Sequence, residues 1–238
     1  MTTGDDQTTT TLSLFRFGDR ANKLWAFHQM PTAPRRLARA PGLRFFKLLG
    51  SGSGQGFSPW PNWGVYGFLG AWESPSAAQA GVSPSASALD AFRARATEHC
   101  TLTLRATRCR GAWSGVHPFP INAEDAPDEP VAVLTRASIR PMKAFAFWRR
   151  ETAISADIGV QDAVRLKIGL GEAPLLRQAT FSIWTDRAAI DQFARRNAAH
   201  GEAARDAWRL NWFSEYLFAR FRILDVAGRW NGGDPLTA

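Results

Sequence analysis

Two apolar periods alternate along the chain, one of two residues and one of between three and four. From Leu12, LSLFRF places apolar residues at every second position, the spacing of a half-buried strand. LWAFHQM at residues 24–30 and PRRLAR at 34–39 switch to helical spacing, and RFFKLLG from Arg44 returns to a strand. SGSGQGFSPWPNW reads as a Gly, Ser and Pro loop, and WGVYGFLGAW as a strand. Residues 87–99 predict a helix with Leu89, Phe92 and Ala96 on one face, after which TLTLRATR resumes alternation. The predicted order is β-α-β-β-α-β.

After the Pro-rich acidic stretch PINAEDAPDEP, the same order begins again. VAVLTRASIR, VRLKIGLG, LLRQATFSIW and FARFRILDVAG read as strands, with helices predicted over MKAFAFWRRETAISADIG and over residues 187–213. Two signatures recur, as an internal repeat requires. GAWESP at Gly70 and SIWTDR at Ser182 each end a strand in Trp before a helix, and RGAWSG at Arg110 and AGRWNG at Ala227 each close a half. Each half therefore reads as a split, ferredoxin-like motif. Its four-stranded sheet has helices on one face and buries the other against its counterpart. The expectation is an α+β protein of two fused halves forming a dimeric α+β barrel. Residues 1–10 would be a disordered tail, 11–119 the first half, 120–130 a linker and 131–238 the second half.

Composition narrows the partners. The 238 residues include ten Trp and sixteen Phe against two Tyr, rings that fill cores and also line pockets for flat or elongated apolar ligands. A net charge of +8, mostly from Arg, suits nucleic acid, an anionic membrane surface, an acidic redox partner or the propionates of a heme. Nucleic acid is disfavoured, because no recognisable module and no basic stripe interleaved with aromatics is present. The glycines of GSGSGQGF lack the GK[ST] ending of a phosphate loop. Cys100 and Cys109 form neither a CxxC pair nor a disulfide framework, which fits a reduced, cytoplasmic chain. The N-terminal residues show no signal peptide, and no run approaches ~18 apolar residues, so neither secretion nor a transmembrane helix is expected.

Read together, LSLFRF with LWAFHQM, PGLRFFKLLGSGSGQGF, EHCTLTL followed by RGAWSG, LTRASIRPMKAFAFW, LKIGLGE, and QATFSIW followed by WFSEYLFARFRI and GRWNG resemble the spheroidene monooxygenase family. The resemblance runs from about Leu12 to Leu236. It implies a heme b enzyme that uses O2 and a ferredoxin-type donor to oxidise the terminal region of an acyclic carotenoid, giving hydroxy and then keto products. A heme enzyme of the same barrel acting on another small molecule, by dehydration or N-oxidation, is the competing reading; a non-enzymatic heme-binding module is a third.

A heme iron needs an axial donor, and imidazole is a common one. His200 leads: Ile190, Phe193, Asn197, His200, Ala204, Ala207 and Trp208 share one helical stripe, and small neighbours would let a macrocycle approach. The strand, Trp turn, helix and His pattern also resembles the proximal helix of heme-degrading monooxygenases with this barrel. His99 reads as a helix-end residue, His28 as a core residue and His117 as exposed, with Cys100 and Cys109 as thiolate alternatives. Arg136, Arg140, Lys143 and Lys167 are candidates for the propionates or for a solvated strand edge, and Phe193 belongs to the heme side. Arg140 is alternatively a distal group that stabilises bound dioxygen, with Gln178 and Thr180 as weaker candidates for that task. Phe145, Phe147, Trp148, Phe181 and Trp184 are candidate walls for a polyene or else core. RRLAR and the Arg-rich helix faces are candidate contacts for an anionic membrane.

Overall fold

Strand alternation puts one set of side chains inside a closed sheet and the other outside, where β1, β2 and β3 are apolar as well. The computed structural model describes residues 7–53, 60–84, 87–145, 147–148, 163–173, 175–196 and 211–237. Eight strands run β1 Thr9–Arg16, β2 Leu43–Gly52, β3 Pro61–Trp72, β4 Glu98–Gly111, β5 Val131–Ile139, β6 Val164–Ala173, β7 Arg177–Trp184 and β8 Phe213–Gly228. They close a barrel in the order β1-β3-β2-β6-β7-β5-β8-β4, and every pairing is antiparallel. The first four strands lie in the order β4-β1-β3-β2 and the last four in the matching order β8-β5-β7-β6.

Leu12, Leu14, Leu49, Leu102, Leu134 and Phe221 are among the side chains that point inward and fill the barrel. Each such burial contributes about 1.5–3 kcal/mol, so the interior is the main stabilising layer. Residues of opposite parity, Phe15, Phe17, Tyr66, Phe68 and Trp72, point outward into a second apolar layer with Ala26, Leu37, Ala78 and Phe92. The helices carrying these residues are α1 Arg20–Thr32, α2 Pro34–Leu37, α3 Pro75–Val82 and α4 Asp90–Arg93. Asp19 caps α1 by accepting from Asn22 N, and Ser74 caps α3 by accepting from Ala77 N. A further helix among the described residues, α5 Arg187–Arg196, touches β7 through Phe193 against Trp184 at 5.2 Å. Among the described residues no helix is long and apolar enough to cross a membrane.

Several expectations change. β1 begins at Thr9, and Thr9 and Thr10 are buried, so these two residues of the expected tail belong to the sheet. The helix expected over residues 87–99 is only the single turn α4; His99 lies within β4, opposite Phe15. A helix missed by periodicity, α3, is built of small residues, PSAAQAGV, and seats Ala78 and Gly81 against the sheet, where a Cβ on Gly81 would fall 2.0 Å from the Trp72 ring. The helix expected to reach Phe213 stops earlier, since Trp212 is buried outside it and Phe213 opens β8. His28 is exposed on α1 and not in the core, because Ala26 and Met30 take the sheet-facing side of that helix. The stretch at 120–130 lies against the sheet, with Asp125 paired to Arg220 at 3.3 Å and to Arg187 at 3.1 Å.

The two recurring Trp signatures form matching turns that each hold an acidic side chain. Ser114 and Gly115, like Asn231 and Gly232, take consecutive positive φ angles, and Trp113 bridges to Val116 as Trp230 does to Gly233. Gly232 N donates to Glu98 Oε1 at 2.6 Å, while Arg16 donates to Glu98 Oε2 at 2.8 Å and stacks 4.6 Å over Trp230. Correspondingly, Gly115 N and Ser114 N donate to Glu215 at 2.7 and 3.0 Å. Arg136 pairs with that carboxylate and lies 5.5 Å from the Trp113 ring. Gly111 and Gly228, both at positive φ, lead into these turns. A Cβ on either would sit 2.2–2.4 Å from the Tyr216 or His99 carbonyl oxygen, which only glycine avoids.

Candidate functional site

Strand parity sorts the candidate residues onto two sides of the sheet. On β7, Ala179, Phe181 and Ile183 face the barrel core, so Gln178, Thr180, Ser182 and Trp184 face outward. On β6, Leu166, Ile168 and Leu170 face inward, leaving Lys167, Gly169 and Gly171 outside; on β5, Thr135 and Ala137 lie outside. Cross-strand register joins these into rows: Val133–Ser182–Lys167, Thr135–Thr180–Gly169 and Ala137–Gln178–Gly171. Arg220 of β8 extends the first row beyond Val133. Three strand spacings, roughly 14 Å, separate Arg220 from Lys167, a floor wide enough for a flat macrocycle.

This floor is made of small and polar groups. Aligning Trp72 with Trp184 matches the two sets of four strands, since Trp72 pairs with Thr9 and Leu43 as Trp184 pairs with Val131 and Val164. Outward Phe15, Phe68, Leu48, Phe46 and Tyr66 then correspond to Ala137, Thr180, Gly169, Lys167 and Gln178. The large side chains that fill the first outer face are absent from the second. At its centre the Thr180 hydroxyl is buried and has no hydrogen-bond partner among the described residues. Such an orphan costs about 1–3 kcal/mol unless something else pairs with it.

Of the sequence candidates, Gln178, Lys167 and Trp184 share this outer face. Gln178 Nε2 makes a long, 3.5 Å contact to Ala173 O, and Trp184 Nε1 donates to Ser182 Oγ at 2.9 Å, fixing its ring at the rim beside Phe193. Arg136 and Phe181 lie on the opposite side. Arg136, only 4% exposed, is committed to Glu215, and Phe181, 0% exposed, is barrel core. Neither reaches a ligand on the outer face. Arg140 donates to Asn211 Oδ1 at 3.3 Å, and Lys143 is exposed on the 3-10 turn Pro141–Lys143. Phe145 is 81% exposed, whereas Phe147 packs with Ile139 and Trp212, and Trp148 donates to Leu175 O at 2.9 Å. His200 lies outside the described residues, four positions beyond the end of α5 in sequence.

The alternative iron donors sit elsewhere. Cys100 points into the barrel core, where burial and the neighbouring Glu98 charge push its thiol up to about 12, against thiolate formation. Burial also raises Cys109. His99 has its pKa lowered by burial and by the Arg93 charge. His117 Nδ1 is tied to Gly111 O at 2.7 Å on the surface. Sequence reading missed Arg220, buried against Asp125 with its Nε unpaired among the described residues, and Thr135 and Gly169 of the floor. Their signal was register with β7, which becomes visible only once the strands are paired.

The fold and site define an eight-stranded antiparallel barrel with a small-residue outer face on β5, β6 and β7. The same architecture occurs in a crystal structure of aldoxime dehydratase, with a TM-score of 0.59 at 10% identity over 97% of this chain and 88% of that one. A second aldoxime dehydratase structure, a complex with butyraldoxime, gives 0.58 over 92% and 80%. No protein-family model matches the chain. Whole-chain sequence similarity goes further. The chain is 44% identical over 229 residues to the spheroidene monooxygenase of Rhodobacter capsulatus, covering 95% of both. It is 41% identical to that of Cereibacter sphaeroides, over 96% of this chain and 70% of the relative. For the enzyme of Rubrivivax gelatinosus the identity is 37%, over 89% and 81%. This chain belongs to the spheroidene monooxygenase family.

Proposed function

We propose that the protein is a heme-dependent monooxygenase that oxidises the terminal region of an acyclic carotenoid to hydroxy and then keto products. The observation that carries the cofactor reading is the outer face of β5, β6 and β7. Where the first face holds Phe15, Phe68 and Leu48, this one has Ala137, Thr180 and Gly169, together with a buried hydroxyl that has no partner among the described residues. These residues fit a flat, largely apolar group with polar substituents. The substrate reading comes from the names of the relatives. We also read the repeated strand order as two fused ferredoxin-like halves, with residues 120–130 joining them.

His200 is the proposed axial ligand. Lys167 at the end of one row, and Arg140 and Lys143 beyond the floor, are the proposed partners of the heme carboxylates, Arg220 being buried against Asp125. When bound, heme supplies the activation of dioxygen that C–H oxidation requires. The chain positions and shields. Thr180 and Gln178 offer a hydroxyl and a side-chain amide at the floor, and Trp184 with Phe193 closes one rim against water. Electrons would come from a ferredoxin-type donor, whose acidic surface complements the net charge of +8. Arg35, Arg36 and Arg39, all exposed, would touch anionic lipid.

The test is an absorption spectrum after heme addition to the wild type and His200→Ala, oxidised and reduced, followed by carotenoid turnover with a ferredoxin-type donor. A stoichiometric Soret band that His200→Ala abolishes or shifts is the expected result. No heme uptake by the wild type overturns the cofactor. Heme uptake without carotenoid oxidation moves the function to the same barrel with another substrate.

A further inference from the structure

The barrel is closed unevenly. β4 and β8 pair along most of their length, whereas β2 and β6 meet only through Gly50↔Gly171 and Ser51↔Leu170. At that seam a cleft of about 210 Å³ opens on the outer surface. Its floor is one continuous cross-strand row, Tyr66–Gly50–Gly171–Gln178, running over β3, β2, β6 and β7. Neither glycine adds a side chain to the floor; it is open over Gly50, while the Gln178 amide lies against Gly171, and glycine in a strand is the arrangement that admits close approach of a ligand. Phe27 and Met30 of α1 and Trp63 of β3 form the apolar wall. Phe27 and Trp63 meet edge to face at 5.2 Å, yet remain 49% and 54% exposed, an apolar lip at the mouth.

Besides Ser51, Asn62 and Glu172 of the lining, two polar groups stand at the ends of the floor row. Gln178 stands at one end, where the cleft reaches the small-residue face of the last four strands. At the other end stands Tyr66, whose hydroxyl is buried without a hydrogen-bond partner among the described residues. Burial raises its pKa, so the hydroxyl keeps its proton and is available as a donor. An unpaired buried donor beside an apolar, glycine-floored trough calls for a long apolar ligand carrying an oxygen acceptor.

We infer that the β2–β6 seam is a binding groove for an acyclic polyene, entered between Phe27 and Trp63, floored by Gly50 and Gly171, with the Tyr66 hydroxyl donating to a ligand oxygen. The inference rests on the carotenoid reading and adds a location, a direction and a specificity residue to it. The groove passes Gln178 and so delivers one end of an extended chain to the face proposed to carry the cofactor. Its glycine floor suits a conjugated chain, which is flat and stiff.

Gly50→Val tests the floor cleanly. A Cβ at position 50 meets nothing closer than Gly171 O at 3.9 Å, so the substitution fits the strand but fills the trough. A symmetric polyene has no visible circular dichroism until a chiral site holds it, so induced dichroism reports binding without turnover. The full-length protein is titrated with an acyclic polyene hydrocarbon and its hydroxylated analogue in detergent micelles, and heme uptake is followed alongside. Gly50→Val is expected to keep its melting temperature and heme uptake while weakening both polyenes by about tenfold or more. Tyr66→Phe is expected to weaken only the hydroxylated analogue, by about fivefold. Unchanged polyene affinity in Gly50→Val overturns the groove and leaves the proposed function standing. Equal loss of both ligands in Tyr66→Phe overturns the role of the hydroxyl. Heme uptake without induced dichroism in the wild type overturns groove and carotenoid reading together.

Discussion

The outer faces of the first and last four strands share a strand order and a Trp-ended strand, but they are filled differently. Over β1, β2 and β3 the protein covers its own sheet with rings: Phe15 on Phe92 at 5.4 Å, Phe17 on Tyr66 at 6.0 Å and Phe46 on Phe68 at 6.2 Å. Over β5, β6 and β7 the matching positions carry Ala, Thr, Gly, Lys and Gln. Within one chain, the first face therefore serves as an internal control for the second. The comparison teaches that the small-residue floor departs from what packing alone selects at the same positions, and such departures from packing rules concentrate at functional sites.

The largest effect expected from this contrast is on the filled face. Phe68→Ala removes a ring buried between Phe46 and Trp72 and should cost about 3–5 kcal/mol, read as a lowered denaturation midpoint. Thr180→Ala at the matching position should cost little, and an equal loss at both positions would erase the distinction. Next comes the transplant in the other direction. Thr180→Phe puts the first face's ring on the second, and the bulk it adds should weaken heme uptake by about tenfold to a hundredfold, an overpacking cost of ~1–3 kcal/mol. The barrel interior is untouched by an outward substitution, so the circular dichroism of the sheet should persist. Unimpaired heme uptake in Thr180→Phe would place the cofactor off this floor.

How much of this was legible in the sequence depends on what each feature needs. Alternation in LSLFRF is enough for a strand, and the repeated Trp signatures are enough to align the first four strands with the last four, because both are local. The α3 helix was not legible, since PSAAQAGV owes its place to Ala78 and Gly81 lying close against the sheet and has no bulky stripe of its own. His28 was misread because an apolar neighbourhood in sequence, AFHQM, does not say which side of α1 the imidazole takes. The candidate site was legible by residue type but not by side. Parity separates Arg136 from Thr135 within one strand, but barrel closure decides which parity is inside. Arg136 thus turned from a cofactor candidate into part of the Glu215 clamp, while Thr135 and Gly169 emerged only from register.

The two acidic clamps sharpen the comparison with a smaller effect. Burial pushes the Glu215 carboxyl up, but the Gly115 and Ser114 amides and the Arg136 guanidinium outweigh it, leaving the pKa below the ordinary 4.5. Glu98 is likewise pushed up by burial and held lower by the Gly232 amide, Arg16 and the Asn231 amide. A carboxyl with a depressed folded pKa stabilises fully above its unfolded value and loses that contribution as pH falls through the folded one. Acid should therefore destabilise the barrel below about pH 4.5 through both clamps. Because Arg136 is buried and Arg16 is partly exposed, Glu215→Gln should cost about 2–3 kcal/mol at neutral pH and Glu98→Gln about 1 kcal/mol. Equal costs would mean that the two turns are interchangeable supports.

The smallest expected change addresses the floor itself. Thr180→Val keeps the shape of the side chain and removes only the hydroxyl that has no partner among the described residues. With no cofactor bound, losing an orphaned buried donor should stabilise the protein by about 1 kcal/mol, seen as a raised melting temperature. With heme added the sign should reverse, because the same hydroxyl then has a polar group to meet and the valine does not. A gain that survives heme addition would make Thr180 a packing residue, and the floor would then be shaped for an apolar ligand alone. No change in either state would mean that water already satisfies the hydroxyl, leaving the glycine at position 169, where the first face has Leu48, as the feature that distinguishes this face from its filled counterpart.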